Sequence, residues 1–206
     1  MRESERGHEM SGAAQRPAVF VDRDGVLNAL VWRPGRGWDS PYRLEEVVLL
    51  DGAAAGLARL WSGGYATVLV SNQPGYAKGY CTAGDLEVVH AATVDRLREA
   101  GATLDGVFYC YHHPDAVVEP LRVSCECRKP APGLLRQAAD ELGLDMSHSY
   151  VVGDRMVDLE AARRAGCASV LVQSPQSPPA EEATSLGALA SLPDLAAAAA
   201  LITGRE

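Results

Sequence analysis

The chain predicts an α/β fold on a parallel, doubly wound sheet with right-handed crossovers. Three observations carry this. Strand-like apolar runs alternate with helix-like segments from residue 18 to residue 172. The runs are rich in β-branched and aromatic residues, as buried strands are. With 206 residues and 47% hydrophobic content, the chain can bury the core of one domain.

The elements follow in order. Residues 1–16 are polar and aperiodic and read as a flexible tail, leaving 17–206 as the domain. A strand is expected over 18–22. A long connection over 29–46, rich in Trp, Arg and Gly, has the length of a functional or disordered loop. A helix follows over 52–62, with Leu57, Leu60 and Trp61 as its apolar stripe. Next come a strand over 66–70, a helix over 82–100 and a strand over 106–110. Segment 111–132 interrupts the alternation. The helix over 133–142 stops at Gly143, a strand spans 150–152, and the helix over 156–165 stops at Gly166. A strand over 169–172 leads into a Pro- and Ser-rich linker over 174–183, and an Ala-rich helix starts near Pro193-Asp194.

A net charge of −8 argues against nucleic acid or an anionic membrane as the main partner. No apolar stretch reaches transmembrane length, and the start lacks a signal-peptide core. A cytoplasmic monomer is expected. Its five cysteines are odd in number and unevenly placed, so no disulfide framework is expected there.

Asp22-Arg23-Asp24-Gly25 follows directly on the first apolar run, which places Asp22 at a strand's carboxyl end, where open α/β sheets bind ligands. Two carboxylates flanking one residue suit a metal-assisted nucleophile with a general acid beside it. A polar turn stabilised by Asp is the plainer reading. Three more groups fall along the same edge: Ser71-Asn72-Gln73, Arg128-Lys129-Pro130, and Gly153-Asp154-Arg155 with Asp158 one turn on. Asp22 can attack phosphorus, Ser71 and Asn72 can donate to phosphate oxygens, and Lys129 can neutralise charge. Asp22 and Asp154 offer oxygen ligands to a hard cation such as magnesium. Each group alone also fits a helix cap or a solvated surface charge. Cys110, Cys125 and Cys127, with His112 or His113, form a Cys₃His set suited to a closed structural zinc site, with Zn–S about 2.3 Å. Free thiols and a redox Cys-x-Cys are the alternatives.

The ordered set Asp22-x-Asp24-Gly25, Ser71-Asn72, Lys129 and Gly153-Asp154-x-x-x-Asp158 resembles the signature of the haloacid dehalogenase-like phosphatases. The resemblance implies a Rossmann-like three-layer sandwich without a large cap. It makes Asp22 the nucleophile and Asp24 the general acid/base, with Ser71 and Lys129 assisting. Magnesium would be held by Asp22, the Asp24 backbone carbonyl and Asp154. The cysteine loop at 110–127 is similar to that of the zinc-bearing subgroup of heptose bisphosphate and histidinol-phosphate phosphatases. Its Cys-x-His order selects Cys110, His112, Cys125 and Cys127 for Zn²⁺. The implied partner is a small phosphorylated sugar, contacted by Arg23, Asn72, Gln73, Arg128 and Arg155. The intact Asp22/Asp24 pair argues against a zinc-stabilised phosphosugar-binding module without catalysis. After Asn28 the chain reads Ala29-Leu30-Val31-Trp32-Arg33 where the subgroup has Asp-x-Gly-Tyr, which leaves the sugar open. Arg33, Arg36 and Arg43 are there either to grip a second phosphate or as solvated charges.

Overall fold

The computed structural model describes residues 15–204. In chain order its elements are β1 (Arg16–Val21), β2 (Val31–Arg33), β3 (Gly37–Asp39), α1 (Ala53–Ser62), β4 (Ala66–Asn72), α2 (Ala83–Glu99), β5 (Gly106–Cys110), α3 (Gly133–Leu142), β6 (Leu144–Gly153), α4 (Met156–Ala165), β7 (Ala168–Val172), α5 (Ala180–Ser185), β8 (Ser191–Leu192) and α6 (Leu195–Thr203). Six strands make one parallel sheet in the order β5-β4-β1-β6-β7-β8.

Ala18, Val19, Phe20 and Val21 of β1 are all fully buried, because both faces of the sheet are covered. Val19 and Val21 pack with Leu57 and Leu60 of α1 and Leu195, Ala198 and Ile202 of α6. Ala18 and Phe20 pack on the other face with Leu134, Leu135 and Ala138 of α3 and Ala161 and Ala162 of α4. The alternation along one strand thus feeds two cores and yields the three layers. The chain runs outward from β1 through β4 to β5, then returns to pair β6 on the other side of β1. The carboxyl end of β1 is therefore a topological switch point, where a crevice opens between diverging connections.

Four segments differ from expectation. β1 begins at Arg16, whose guanidinium contacts Tyr65 O, Gly64 O and Asp105, so the last residue assigned to the tail lies in the sheet. Residues 1–14 of that tail lie outside the described residues. β6 extends back to Leu144, through polar residues that carry no strand signal. A register shift opposite Pro17 lets the Ser149 hydroxyl accept from the Ala18 amide. The 29–46 connection contains the β2–β3 hairpin, closed by Trp32 edge-on to Trp38 at 5.4 Å between centroids. The expected linker packs on the domain: α5 starts at Ala180, and Ala183 is buried with Leu159 and Leu171. No described helix is long and apolar enough to cross a membrane.

Candidate active site

The switch point gathers Asp22, Ser71, Lys129, Asp154 and Asp158, all buried. Asp22 leaves β1 with its amide donating to Val152 O at 3.0 Å, which ties the first strand's end to β6. Two glycines make the convergence sterically allowed. A Cβ on Gly25, which has φ +85°, would lie 2.2 Å from Asp154 Oδ2. A Cβ on Gly153 would lie 2.2 Å from the Asp158 Cβ.

Asp22, Asp154 and Asp158 bring carboxylate oxygens within 4.8 Å of one another. The ammonium of Lys129 reaches Asp22 Oδ1 at 3.1 Å, Asp158 Oδ1 at 2.6 Å and the Val70 carbonyl at 2.9 Å. Three carboxylates against one buried cation leave the cluster under-neutralised. Desolvation, then the Asp158 and Asp22 charges, push the Asp154 carboxyl up to about 7. Burial also raises Asp22, and nearby Lys129 opposes that rise. Asp154 Oδ2 accepts from Ser174 Oγ at 2.7 Å, while its Oδ1 is buried without a hydrogen-bond partner among the described residues. A hard oxygen donor set with an orphaned buried oxygen and surplus negative charge fits a divalent cation.

Asp24 lies in the opposite environment. Its Oδ1 accepts from Arg23 Nε at 2.9 Å and Asn28 Nδ2 at 2.9 Å. Its Oδ2 accepts from Arg23 Nη2 at 3.1 Å, Gln73 Nε2 at 2.7 Å and Ser40 Oγ at 2.7 Å. Burial raises this carboxyl, but Arg23 and the surrounding donors outweigh it and hold it down at about 2.

Three residues expected to contact substrate are engaged with protein groups. Arg23 is wholly buried, and it also donates to Gln73 Oε1 at 2.7 Å. Gln73 Nε2 is taken by Asp24 and by Ser71 Oγ. Asn72 clamps the Lys129 backbone, donating to its carbonyl at 3.0 Å and accepting from its amide at 3.1 Å. Arg23 and Gln73 turn toward the Asp24 carboxylate, and Asn72 ties down the Lys129 loop. Arg155 keeps an exposed face, 3.9 Å from Asp154 Oδ1. Half-buried Arg128 donates to His112 O at 3.3 Å. Of the hairpin arginines, Arg33 is paired with Glu46 at 2.7 Å, and Arg36 lies over the Tyr80 ring at 3.8 Å.

Cys110, His112, Cys125 and Cys127 also bring their donor atoms within 4.8 Å of one another. The thiols are unbridged, with Cys127 Sγ 3.2 Å from both Cys110 Sγ and Cys125 Sγ. His112 Nδ1 lies 3.4 Å from Cys127 Sγ, whereas His113 accepts from the Asp115 amide. Three sulfurs and one nitrogen suit a closed tetrahedral site. It lies just ahead of Arg128 and Lys129 in the chain.

Ser40, Ser174 and His90 escaped the sequence reading. Ser174 follows β7 at the same sheet edge, and the strand-end rule could have found it. Ser40 and His90 carry no local signal, since only the folded chain brings them to Asp24 and Arg23.

Residues 126–198 match the family model described as HAD-hydrolase-like. The D-glycero-beta-D-manno-heptose-1,7-bisphosphate 7-phosphatase of Photorhabdus laumondii is 38% identical over 182 residues, 86% of this chain and 93% of the relative. The Escherichia coli protein of that name is likewise 38% identical, over 86% of this chain and 92% of its own. Among solved structures, D,D-heptose 1,7-bisphosphate phosphatase from B. bronchiseptica, complexed with magnesium and phosphate, superimposes with a TM-score of 0.74 at 31% identity. The match covers 92% of this chain and 99% of that one.

Proposed function

We propose that this chain, which belongs to the haloacid dehalogenase-like (HAD) hydrolase family, is a phosphomonoesterase that releases the 7-phosphate of D-glycero-D-manno-heptose 1,7-bisphosphate. The observation that carries the chemistry is the under-neutralised cluster of Asp22, Asp154 and Asp158 around Lys129, with Asp24 two residues from Asp22. The names of the relatives and of the magnesium-bound neighbour support the substrate and the metal.

Asp22 is the nucleophile: a carboxylate oxygen forms a bond to phosphorus as the bond to the sugar oxygen breaks, giving an aspartyl-phosphate. Asp24 supplies a proton to the departing sugar oxygen. It then takes a proton from the water that attacks phosphorus, which restores Asp22 and frees inorganic phosphate. The donors around resting Asp24 suit its ionised, water-activating form. An arriving phosphate dianion raises its proton affinity and prepares the acid step. Lys129 and Ser71 offset charge on the transferring oxygens. The side chains of Asp22 and Asp154 and the backbone carbonyl of Asp24 would hold Mg²⁺, which when bound neutralises these carboxylates and the phosphoryl oxygens. Arg128 and Arg155 contact the sugar phosphate, whereas Arg33 is paired with Glu46 and Arg36 with Asp39 and the Tyr80 ring. Cys110, His112, Cys125 and Cys127 would hold a structural Zn²⁺ that pins the Lys129 loop.

The test is phosphate release with magnesium across heptose, hexose and histidinol phosphates. Preference for the heptose bisphosphate is expected. Equal or faster turnover of histidinol phosphate would replace this substrate with the alternative on the same scaffold. No release from any ester would favour a binding module.

A further inference from the structure

Arg23 is a charge with no access to water, so its N–H donors need partners inside the protein. Nε and Nη2 take Asp24, and Nη2 also takes Gln73. The remaining arm, Nη1, meets His90 Nδ1 on α2 at 2.7 Å. A guanidinium can only donate, so Nδ1 must accept, and the imidazole is neutral with its proton on Nε2. Burial and the adjacent Arg23 push the His90 pKa down to about 3, which keeps the ring in that form. The ring is held flat against Tyr109, 3.8 Å between centroids at 14°. His90 Nε2 and the Tyr109 hydroxyl are buried without partners among the described residues, so the stack is held by its faces and by the Arg23 contact.

We propose that His90 is a positioning residue for the Asp24 carboxyl, acting through Arg23 as the far anchor of a buried brace running from Tyr109 to Asp24. The inference rests on the proton-transfer role assigned to Asp24. A bidentate Arg–carboxylate fork fixes the plane of the carboxyl only if the guanidinium itself is fixed. Asp24 and Gln73 hold one side of Arg23; His90 holds the other. Without an acceptor at Nδ1 the Nη1 donor is stranded in the interior, Arg23 shifts to satisfy it, and the carboxyl turns with it. Small misplacement of a proton donor is expensive in rate and cheap in substrate affinity.

Two substitutions separate acceptor from packing. His90→Phe keeps a ring on Tyr109 and removes the acceptor. His90→Asn keeps an acceptor near the Nδ1 position and removes the ring. With the heptose bisphosphate and magnesium, His90→Phe is expected to lower kcat by about tenfold or more with KM within about threefold, and His90→Asn to keep kcat within about threefold. Parental kcat in His90→Phe, or kcat in both variants falling only in step with the folded fraction, would overturn the proposal. Should His90→Phe fail to fold, ¹⁵N spectra of the parent decide. A neutral Nε2–H tautomer near neutral pH is expected, and an Nδ1–H tautomer would sink the brace. Asp24→Asn distinguishes the two levels. An Asp24→Asn variant with full turnover removes the role assigned to Asp24. An inactive Asp24→Asn beside a fully active His90→Phe removes only the role of His90.

Discussion

Asp22 and Asp24 stand two residues apart on one turn and live in opposite electrostatic surroundings. Asp22 shares its space with Asp154 and Asp158, and three carboxylates face one ammonium. Asp24 is met by a guanidinium fork, two amides and a hydroxyl. The result is a carboxyl at about 7 for Asp154 and one at about 2 for Asp24. The difference teaches what each region lacks. The first lacks positive charge and is built to receive a cation; the second lacks nothing and is built to hold one side chain still.

The sharpest way to break this division is to neutralise each carboxylate in turn. Asp22→Asn removes the attacking oxygen and should cut phosphate release by about three orders of magnitude or more, while the fold survives. Undiminished release would remove the nucleophile. Lys129→Met comes next, because it takes away the buried ammonium that touches both Asp22 and Asp158. Breaking a buried pair from one side costs about 3–5 kcal/mol, so a large fall in urea midpoint is expected together with lost turnover. An unchanged midpoint would show that the ammonium is dispensable to the fold.

Ser174→Ala deletes the hydroxyl that orients Asp154. It should weaken magnesium binding by about tenfold or more at unchanged stoichiometry, read by titration calorimetry. Unchanged affinity would assign Ser174 to the turn alone. A further effect expected is one of pH. In metal-free protein the Asp154 carboxyl takes up its proton at about 7, above the ordinary aspartate value of about 3.9. Between those values the folded state binds more protons than the unfolded one. The stability due to this group is therefore complete below the lower value and is lost as pH rises through the upper one. Urea unfolding of chelated protein should show this loss in the parent and not in Asp154→Asn, and magnesium should erase it. A parent curve parallel to that of Asp154→Asn would show that Asp154 is not strained.

The strand–helix alternation and the carboxyl-end positions of Asp22, Ser71 and Asp154 were legible because buried strands announce themselves by continuous apolar runs. Topology then does the convergence: once β4 and β6 flank β1, their ends must meet. What stayed hidden depends on side-chain direction. Arg23 and Gln73, substrate contacts in what the resemblance implies, both point toward Asp24, a direction that no local pattern sets. β6 runs further back than its apolar run shows, because Asp145, Ser147 and His148 mask a pairing that Arg16 and Pro17 of β1 make with Leu144 and Asp145. Ser40 reaches Asp24 from a hairpin segment whose course no local pattern sets.

Calorimetric titration of Mg²⁺ into chelated parent, Asp154→Asn and Asp24→Asn tests the division most directly. One ion per chain is expected in the parent, none at the same concentrations in Asp154→Asn, and one with near-parental affinity in Asp24→Asn, whose backbone carbonyl is untouched. Equal binding by the parent and Asp154→Asn would contradict it.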